Sequence, residues 1–79
     1  MLVGDNMKIL TKQQVRQLRD FYPEGTKVQL IRMDDPQAPP AGTRGIITRV
    51  DDAGNIHVSW DNGSGLSLIP GKDEFIIIK

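Results

Sequence analysis

The chain has no cysteine, one histidine and only 5% aromatic residues. Without cysteine there is no disulfide, thiol nucleophile or cysteine-based zinc site, and a reducing, cytoplasmic compartment is expected. No apolar run approaches the roughly 20 residues that a membrane span needs. Residues 1–6 also lack the basic and apolar regions of a signal peptide.

The single histidine gives little support for catalysis. His57, Ser59 and Asp61 alternate along one predicted strand, but this spacing supplies neither a nucleophile held against the histidine nor an oxyanion site. The chain also lacks a glycine-rich phosphate-binding motif, and its 79 residues leave little volume for a substrate pocket. We therefore expect no enzyme and no cofactor.

Three acidic pairs, at residues 34–35, 51–52 and 73–74, raise the question of a cation site. Calcium and magnesium need oxygen ligands that converge from several positions, and none of the pairs lies in a regular ligand loop. Aspartate is also common in turns, because its side chain bonds to nearby backbone groups. No metal site is therefore predicted.

The N-terminal part of the chain divides into a leader and a helix. Residues 1–10 are predicted to be flexible. A helix is predicted over residues 11–22, because Thr11 and Gln14 match a capping box and Pro23 disfavours a further turn. Apolar and basic side chains lie on different faces of this helix. The apolar face has Val15, Leu18 and Tyr22, and the basic face has Lys12, Arg16 and Arg19.

The rest of the chain, residues 24–79, has the period-two pattern of short β-strands. Strands are predicted at residues 27–31, 45–50, 56–60, 66–69 and 75–78. Five short strands, one long first loop and two tight hairpins are typical of a small barrel. The predicted fold is therefore mainly all-β, an SH3-like five-stranded antiparallel barrel with one short N-terminal α-helix.

Two glycines determine the predicted register of the central strands. Three-residue hairpin loops at 52–54 and 61–63 require a left-handed residue, and Gly54 and Gly63 occupy that position. The loops pair Val50 with Ile56, Ile46 with Trp60, Val58 with Leu66 and Ile56 with Leu68. The predicted core contains Val28, Leu30, Ile46, Val50, Ile56, Val58, Trp60, Leu66, Leu68 and one or two isoleucines of the last strand.

The longest loop, residues 33–43, has three prolines and no strand pattern. Prolines limit the backbone, and loops on rigid scaffolds often carry binding residues. We therefore expect this long loop to be ordered and to form a binding surface with the rim near Trp60. Trp60 itself is either a core residue or an exposed platform. The candidate binding residues are Arg32, Asp34, Asp35, Gln37, Pro39, Arg44 and Trp60.

Four short motifs carry a resemblance to a known family. They are GTKV at 25–28, RMDDPQAPP at 32–40, GTRG at 42–45 and WDNGS at 60–64. Together they resemble a bacterial family known only as a domain of unknown function. The resemblance implies a Gram-positive source, often near mobile elements, and it implies no activity and no site residues. The glycine spacing is more distantly similar to KOW and Tudor modules, which bind nucleic acids or peptides.

These observations favour a non-catalytic binding module for a protein or peptide. The alternative is a nucleic-acid-binding accessory module that uses the basic helix face together with Arg44 and Arg49. The ten basic and ten acidic side chains cancel, which gives no general attraction to phosphates. Binding to phosphates weakens steeply with salt, whereas binding to a peptide groove should weaken much less.

Overall fold

The computed structural model describes residues 10–78. These residues form one helix and four strands, and the strands make a single antiparallel sheet in the order β3-β2-β1-β4. In chain order the elements are α1 (Lys12–Phe21), β1 (Lys27–Arg32), β2 (Arg44–Val50), β3 (Ile56–Trp60) and β4 (Glu74–Ile77). The prediction of a mainly β fold with one short helix is confirmed. The predicted flexible leader, except Leu10, lies outside the described residues.

Helix α1 begins at the predicted capping box. The Gln14 N–H donates to Thr11 Oγ1 at 3.1 Å, and the Thr11 N–H donates to Gln14 Oε1 at 2.8 Å. The helix packs on β2 with Val15 buried, and Leu18 and Tyr22 lie partly buried against the core. Within residues 10–78, no helix is long and apolar enough to cross a lipid bilayer.

The two predicted hairpin turns are confirmed. Gly54 and Gly63 have φ angles of 87° and 89°, which is the region that glycine enters without strain. Val50 lies opposite Ile56, as the first turn requires. The chain therefore passes from β2 to β3 through a three-residue hairpin loop at residues 52–54. We call this loop and its two flanking residues, residues 51–55, the β2–β3 turn.

The prediction that Ile46 faces inward opposite Trp60 is wrong. Strand β2 contains an irregularity between Ile47 and Arg49, and one extra residue in a strand reverses the face on which the following side chains lie. Ile47 is consequently fully buried, whereas Ile46 is 45% exposed and lies opposite Ser59.

Gly45 gives the physical reason for this register. It lies opposite Trp60, and a Cβ atom at Gly45 would be 2.9 Å from Trp60 Cε3 and 2.6 Å from Val58 Cγ1. Only a residue without a side chain leaves room for the indole against β2. The packing of the tryptophan therefore places Gly45 on the inner face of β2, which turns Ile47 inward and Ile46 outward.

The fourth of the five predicted strands, at residues 66–69, is not formed. It is reduced to one antiparallel bridge between Ile56 and Leu68, whose N–H groups donate to each other's carbonyl at 2.9 and 2.8 Å. Side chains bond to the neighbouring backbone donors, since the Leu66 N–H donates to Ser64 Oγ and the Ile69 N–H to an Asp73 carboxylate oxygen. The sheet that residues 10–78 form is therefore open, and barrel closure is not seen in it.

The core lies between the inner face of the sheet and the helix. Leu66 is only half-buried, and the last strand contributes no fully buried isoleucine, because Ile76 and Ile77 are about half exposed. Tyr22 and Phe75 connect the end of the helix to β4, with ring centroids 5.4 Å apart. The buried core residues are Val15, Val28, Leu30, Ile47, Val50, Ile56, Val58, Trp60 and Leu68.

Candidate functional site

The long loop folds into hydrogen-bonded turns. The Gln37 N–H donates to Asp35 Oδ1 at 2.7 Å, and the Thr43 N–H donates to the Pro40 carbonyl at 3.0 Å. Pro39 is buried, so it anchors the middle of the loop on the domain. Turn bonds at both ends and a buried proline between them give this loop a defined shape.

The predicted binding residues are divided between the surface and the interior. The side chains of the long loop and its flanks that are exposed are Arg32, Asp34, Asp35, Gln37 and Arg44. None of these five lines either of the two cavities found on the described part of the chain. They form an exposed polar surface outside both of these cavities.

Trp60 lies in the core and offers no ring face to a ligand. Its side chain is 3% exposed, and its Nε1–H donates to the Leu66 carbonyl at 2.8 Å. A buried indole with its one donor satisfied is the expected state of a core tryptophan. The burial of Trp60 therefore favours its role as a core residue over that of an exposed platform.

A large concave surface lies at the other end of β2. This groove of about 900 Å³ runs between helix α1, the β2–β3 turn and the turn at residues 69–72, and we call it the helix–turn groove. The larger apolar side chains of its lining are Leu10, Leu18, Phe21, Ile69 and Pro70. Phe21 is 73% exposed and Ile69 is 42% exposed, so apolar surface is open to solvent here.

The polar rim of the groove carries little charge. Gln14 and Gln17 lie on the helix side, Asn55 lies on the β2–β3 turn, and Lys72 lies on the third wall. Among the described residues of the lining, Lys72 is the one charged residue and no side chain is acidic. The part of the groove that residues 10–78 form is thus an apolar trough with a single positive charge at its margin.

Gly54 forms the contact between the turn and the start of the helix. A Cβ atom at this position would collide with Leu10 Cδ1 and would lie 3.4 Å from Leu18 Cδ1. The residue therefore meets two requirements, a positive φ and the close approach of two leucines. The floor of the groove depends on both of these properties of Gly54.

Asp51 holds the β2–β3 turn in shape. Asp51 Oδ1 accepts hydrogen bonds from the backbone N–H groups of Ala53 at 3.0 Å and Asn55 at 2.9 Å. His57 Nε2 lies 2.8 Å from Asp51 Oδ2. Partial burial opposes ionisation, but the bonds from His57, Asn55 and Ala53 outweigh it and lower the pKa of Asp51 to about 2.

The helix is connected to the same turn by Arg19. Its Nε–H donates to the Val50 carbonyl at 3.1 Å, and its Nη2 lies 2.8 Å from Asp52 Oδ1. Of the predicted basic helix face, Arg19 is thus engaged within the fold, while Lys12 and Arg16 are exposed. These contacts set the spacing between two walls of the groove.

The partners of His57 were not predicted from the sequence. His57 alternates with Ser59 and Asp61 in the sequence, but its ring nitrogens lie near other residues, one beside Asp51 and the other 3.4 Å from Ser67 Oγ. This distance is longer than the roughly 2.6–3.2 Å of an activated serine, and the group lies outside both cavities. Residues 10–78 also hold no cluster of three potential metal ligands.

Comparison with known families gives one match, and it covers residues 11–78. The matching family is described as Domain of unknown function (DUF4314). Comparisons with curated proteins and with solved structures found no similar protein. The family match covers most of the chain, and the chain therefore belongs to the DUF4314 family of domains of unknown function.

Proposed function

We propose that this domain is a non-catalytic module that binds a protein or peptide partner in the helix–turn groove. The observation that carries the proposal is an apolar groove of about 900 Å³ on a domain of 79 residues. Binding sites for ligands are typically concave and mostly apolar, with volumes of roughly 300–1,000 Å³. The 73% exposure of Phe21 at the groove supports the same conclusion.

The chemistry of the lining indicates the kind of segment that fits. Phe21, Ile69 and Pro70 favour large apolar side chains, and the amides of Gln14 and Gln17 can bond to a partner backbone. Lys72 favours a carboxylate next to the apolar residues. The proposed ligand is therefore a short apolar protein segment that is flanked by an acidic residue.

The long loop is a second candidate surface. Its turns present Asp34, Gln37 and Arg44 on a defined backbone, and such loops often carry recognition residues. Strand β2 begins at Arg44 and ends at Val50, so the loop and the groove lie at opposite ends of this strand. The two surfaces can therefore be tested separately.

We infer that the open sheet belongs to a small barrel of the SH3-like type. The order β4-β1-β2-β3, followed by the Ile56–Leu68 bridge, supports this inference. A ladder that continues from the Ile56–Leu68 bridge would next pair Val58 with Leu66, so slow exchange of the Leu66 amide with solvent deuterium would support a fifth strand, and fast exchange would contradict it. The family resemblance and the lack of cysteine also favour a bacterial, cytoplasmic protein.

Affinity capture from a host-cell extract tests the groove with a matched pair of variants. Phe21→Ser removes the exposed ring of the groove, and Ile46→Ser removes a 45% exposed side chain from the outer face of β2. We expect the parent and Ile46→Ser to capture the same protein, and Phe21→Ser to lose it. Truncation of a hot-spot side chain, often an aromatic residue near the centre of an interface, costs about 2 kcal/mol or more of binding energy.

Two outcomes would contradict the proposal. Equal capture by Phe21→Ser and the parent would show that the groove is not the binding site. Retention of nucleic acid, with binding that weakens steeply between low and physiological salt, would favour the alternative that uses Lys12 and Arg16. Calorimetry with a peptide from the captured protein then measures the affinity directly.

A further inference from the structure

Within residues 10–78, strand β4 is a free edge of the sheet. It lies at the end of the strand order, and Glu74 is its only charged residue. Ile76 and Ile77 are 48% and 49% exposed. Proteins usually protect such edges with lysine, proline or a bulge on the free side, and β4 has none of these.

The hydrogen-bond register shows which backbone groups lie on the free side. The Ile78 N–H donates to the Lys27 carbonyl at 2.9 Å, and Ile76 lies opposite Gln29. Because bonding directions alternate along an antiparallel strand, Ile76 and Ile78 bond to β1, whereas Phe75 and Ile77 point their N–H and C=O groups away from it. Within residues 10–78, these groups lie on the open edge of the sheet.

We propose that this edge pairs with the same edge of a second copy of the chain, antiparallel and centred on Ile76. In this register, Phe75 of one copy exchanges both hydrogen bonds with Ile77 of the other, so every free group of the two residues finds a partner. A register centred on Phe75 would instead need the Asp73 N–H, which already donates to the Ile69 carbonyl at 3.0 Å.

The side chains and charges fit a second copy. Ile76 meets Ile76 on the outer face, and Ile77 meets Phe75 on the inner face, so half-exposed apolar surface is covered on both sides. Glu74 lies opposite Ile78, and the chain has no net charge, so neither local nor long-range repulsion opposes the pairing. A strand from a charged partner would gain no complementary charge here.

The size of the edge determines the strength of the pairing. Four residues of strand span roughly 13 Å, and such a contact lies below the roughly 1,200–2,000 Å² of a stable interface. The dimer is therefore weak and reversible, and it forms at high protein concentration. It does not involve the helix–turn groove and is independent of the function proposed for that surface.

Sedimentation equilibrium of the full chain tests the proposal with a matched pair of variants. Ile77→Lys places a charge on the free edge, while Ile46→Lys places the same charge at a similarly exposed position on the central strand β2. Between about 10 µM and 1 mM, the average mass of the parent and of Ile46→Lys should rise toward twice the monomer mass. Ile77→Lys should stay monomeric, with circular dichroism that matches the parent.

A dilution series of amide NMR spectra of the parent keeps the test valid if Ile77→Lys does not fold. The Phe75 and Ile77 signals should move with concentration, and the Gly63 signal in the distant hairpin should not. A parent that stays monomeric throughout overturns the proposal. So does an Ile77→Lys variant that dimerises like the parent, or a concentration-dependent shift confined to other residues. Slow hydrogen exchange of the Phe75 and Ile77 amides in a monomeric sample would show that the edge is covered within one chain, and would also overturn the proposal.

Discussion

Replacement of Gly45 by alanine should destabilise the domain, although the backbone at this position suits any residue. Its φ angle lies outside the left-handed region, so alanine introduces no backbone strain. The new Cβ atom would instead lie 2.6 Å from Val58 Cγ1, 2.9 Å from the Ser59 carbonyl oxygen and 2.9 Å from Trp60 Cε3. Two of these three contacts are with buried side chains, and the third is with backbone, so none can move freely.

Two opposing effects set the expected magnitude. Overpacking of a core by one methyl group costs roughly 1–3 kcal/mol. Loss of glycine's freedom in the unfolded chain offsets up to about 1 kcal/mol of that cost. The net change should be a loss of about 1–2 kcal/mol, or roughly 5–15 °C in Tm for a domain of this size.

Urea denaturation followed by Trp60 fluorescence measures this loss directly. Gly65→Ala is the matched control, because Gly65 also has an ordinary φ angle and a Cβ there would meet no atom within 4 Å. The control should be as stable as the parent or slightly more stable. If both alanine variants have the same stability, the packing of Trp60 on Gly45 does not select the register of β2, and our reasoning on that strand is refuted.

Three further predictions use other parts of the fold. Gly63→Val should lower the free energy of unfolding by about 1 kcal/mol or more, because valine resists a φ of 89°; chemical denaturation checks this, and an unchanged midpoint contradicts the turn. The pKa of Asp51 is lower in the folded chain than its ordinary value of 3.8, so the ionised carboxylate stabilises the fold above pH 3.8. This contribution should disappear as pH falls toward about 2. It amounts to about 1 kcal/mol after solvent screening, and denaturation at several pH values should show it in the parent and not in Asp51→Asn. The triple variant of the exposed loop residues should keep its Tm within about 2 °C, and it should lose a captured partner only if the long loop is the binding surface. Its substitutions are Asp34→Ala, Gln37→Ala and Arg44→Ala.

Local signals predicted the parts of the fold that depend on neighbours in the sequence. The capping box at Thr11 and the left-handed glycines of the two hairpins act over three or four residues, and each is found as predicted. The register beyond the β2–β3 turn depends instead on the fit of Trp60 against Gly45, fifteen positions away in the sequence. Two adjacent isoleucines leave the pattern of β2 ambiguous, and only the tertiary contact decides between them.

The missing strand has a similar explanation. Alternating apolar residues at 66–69 match a strand, but Ser64 bonds to the Leu66 N–H that a ladder with β3 would use, and Asp73 bonds to the Ile69 N–H on the other side of the segment. Side-chain bonds of this kind compete with regular structure. The helix–turn groove was not predicted because its walls come from three distant segments, each with an unremarkable pattern. One feature of the sequence did point to the groove, because the aromatic residue Phe21 lies beside the apolar face of the helix and not within it.

Phe21 separates the proposed function of the domain from its stability. Its ring is 73% exposed, and its aromatic neighbour is Tyr22, with ring centroids 6.3 Å apart. Exposed side chains contribute little to folding, so stability does not explain an aromatic ring at this position. The groove walls are positioned by polar contacts of Asp51 and Arg19 at the domain surface, and the core does not use the ring. Phe21 can therefore be changed without loss of the fold, and the effect of that change on partner capture isolates binding from folding.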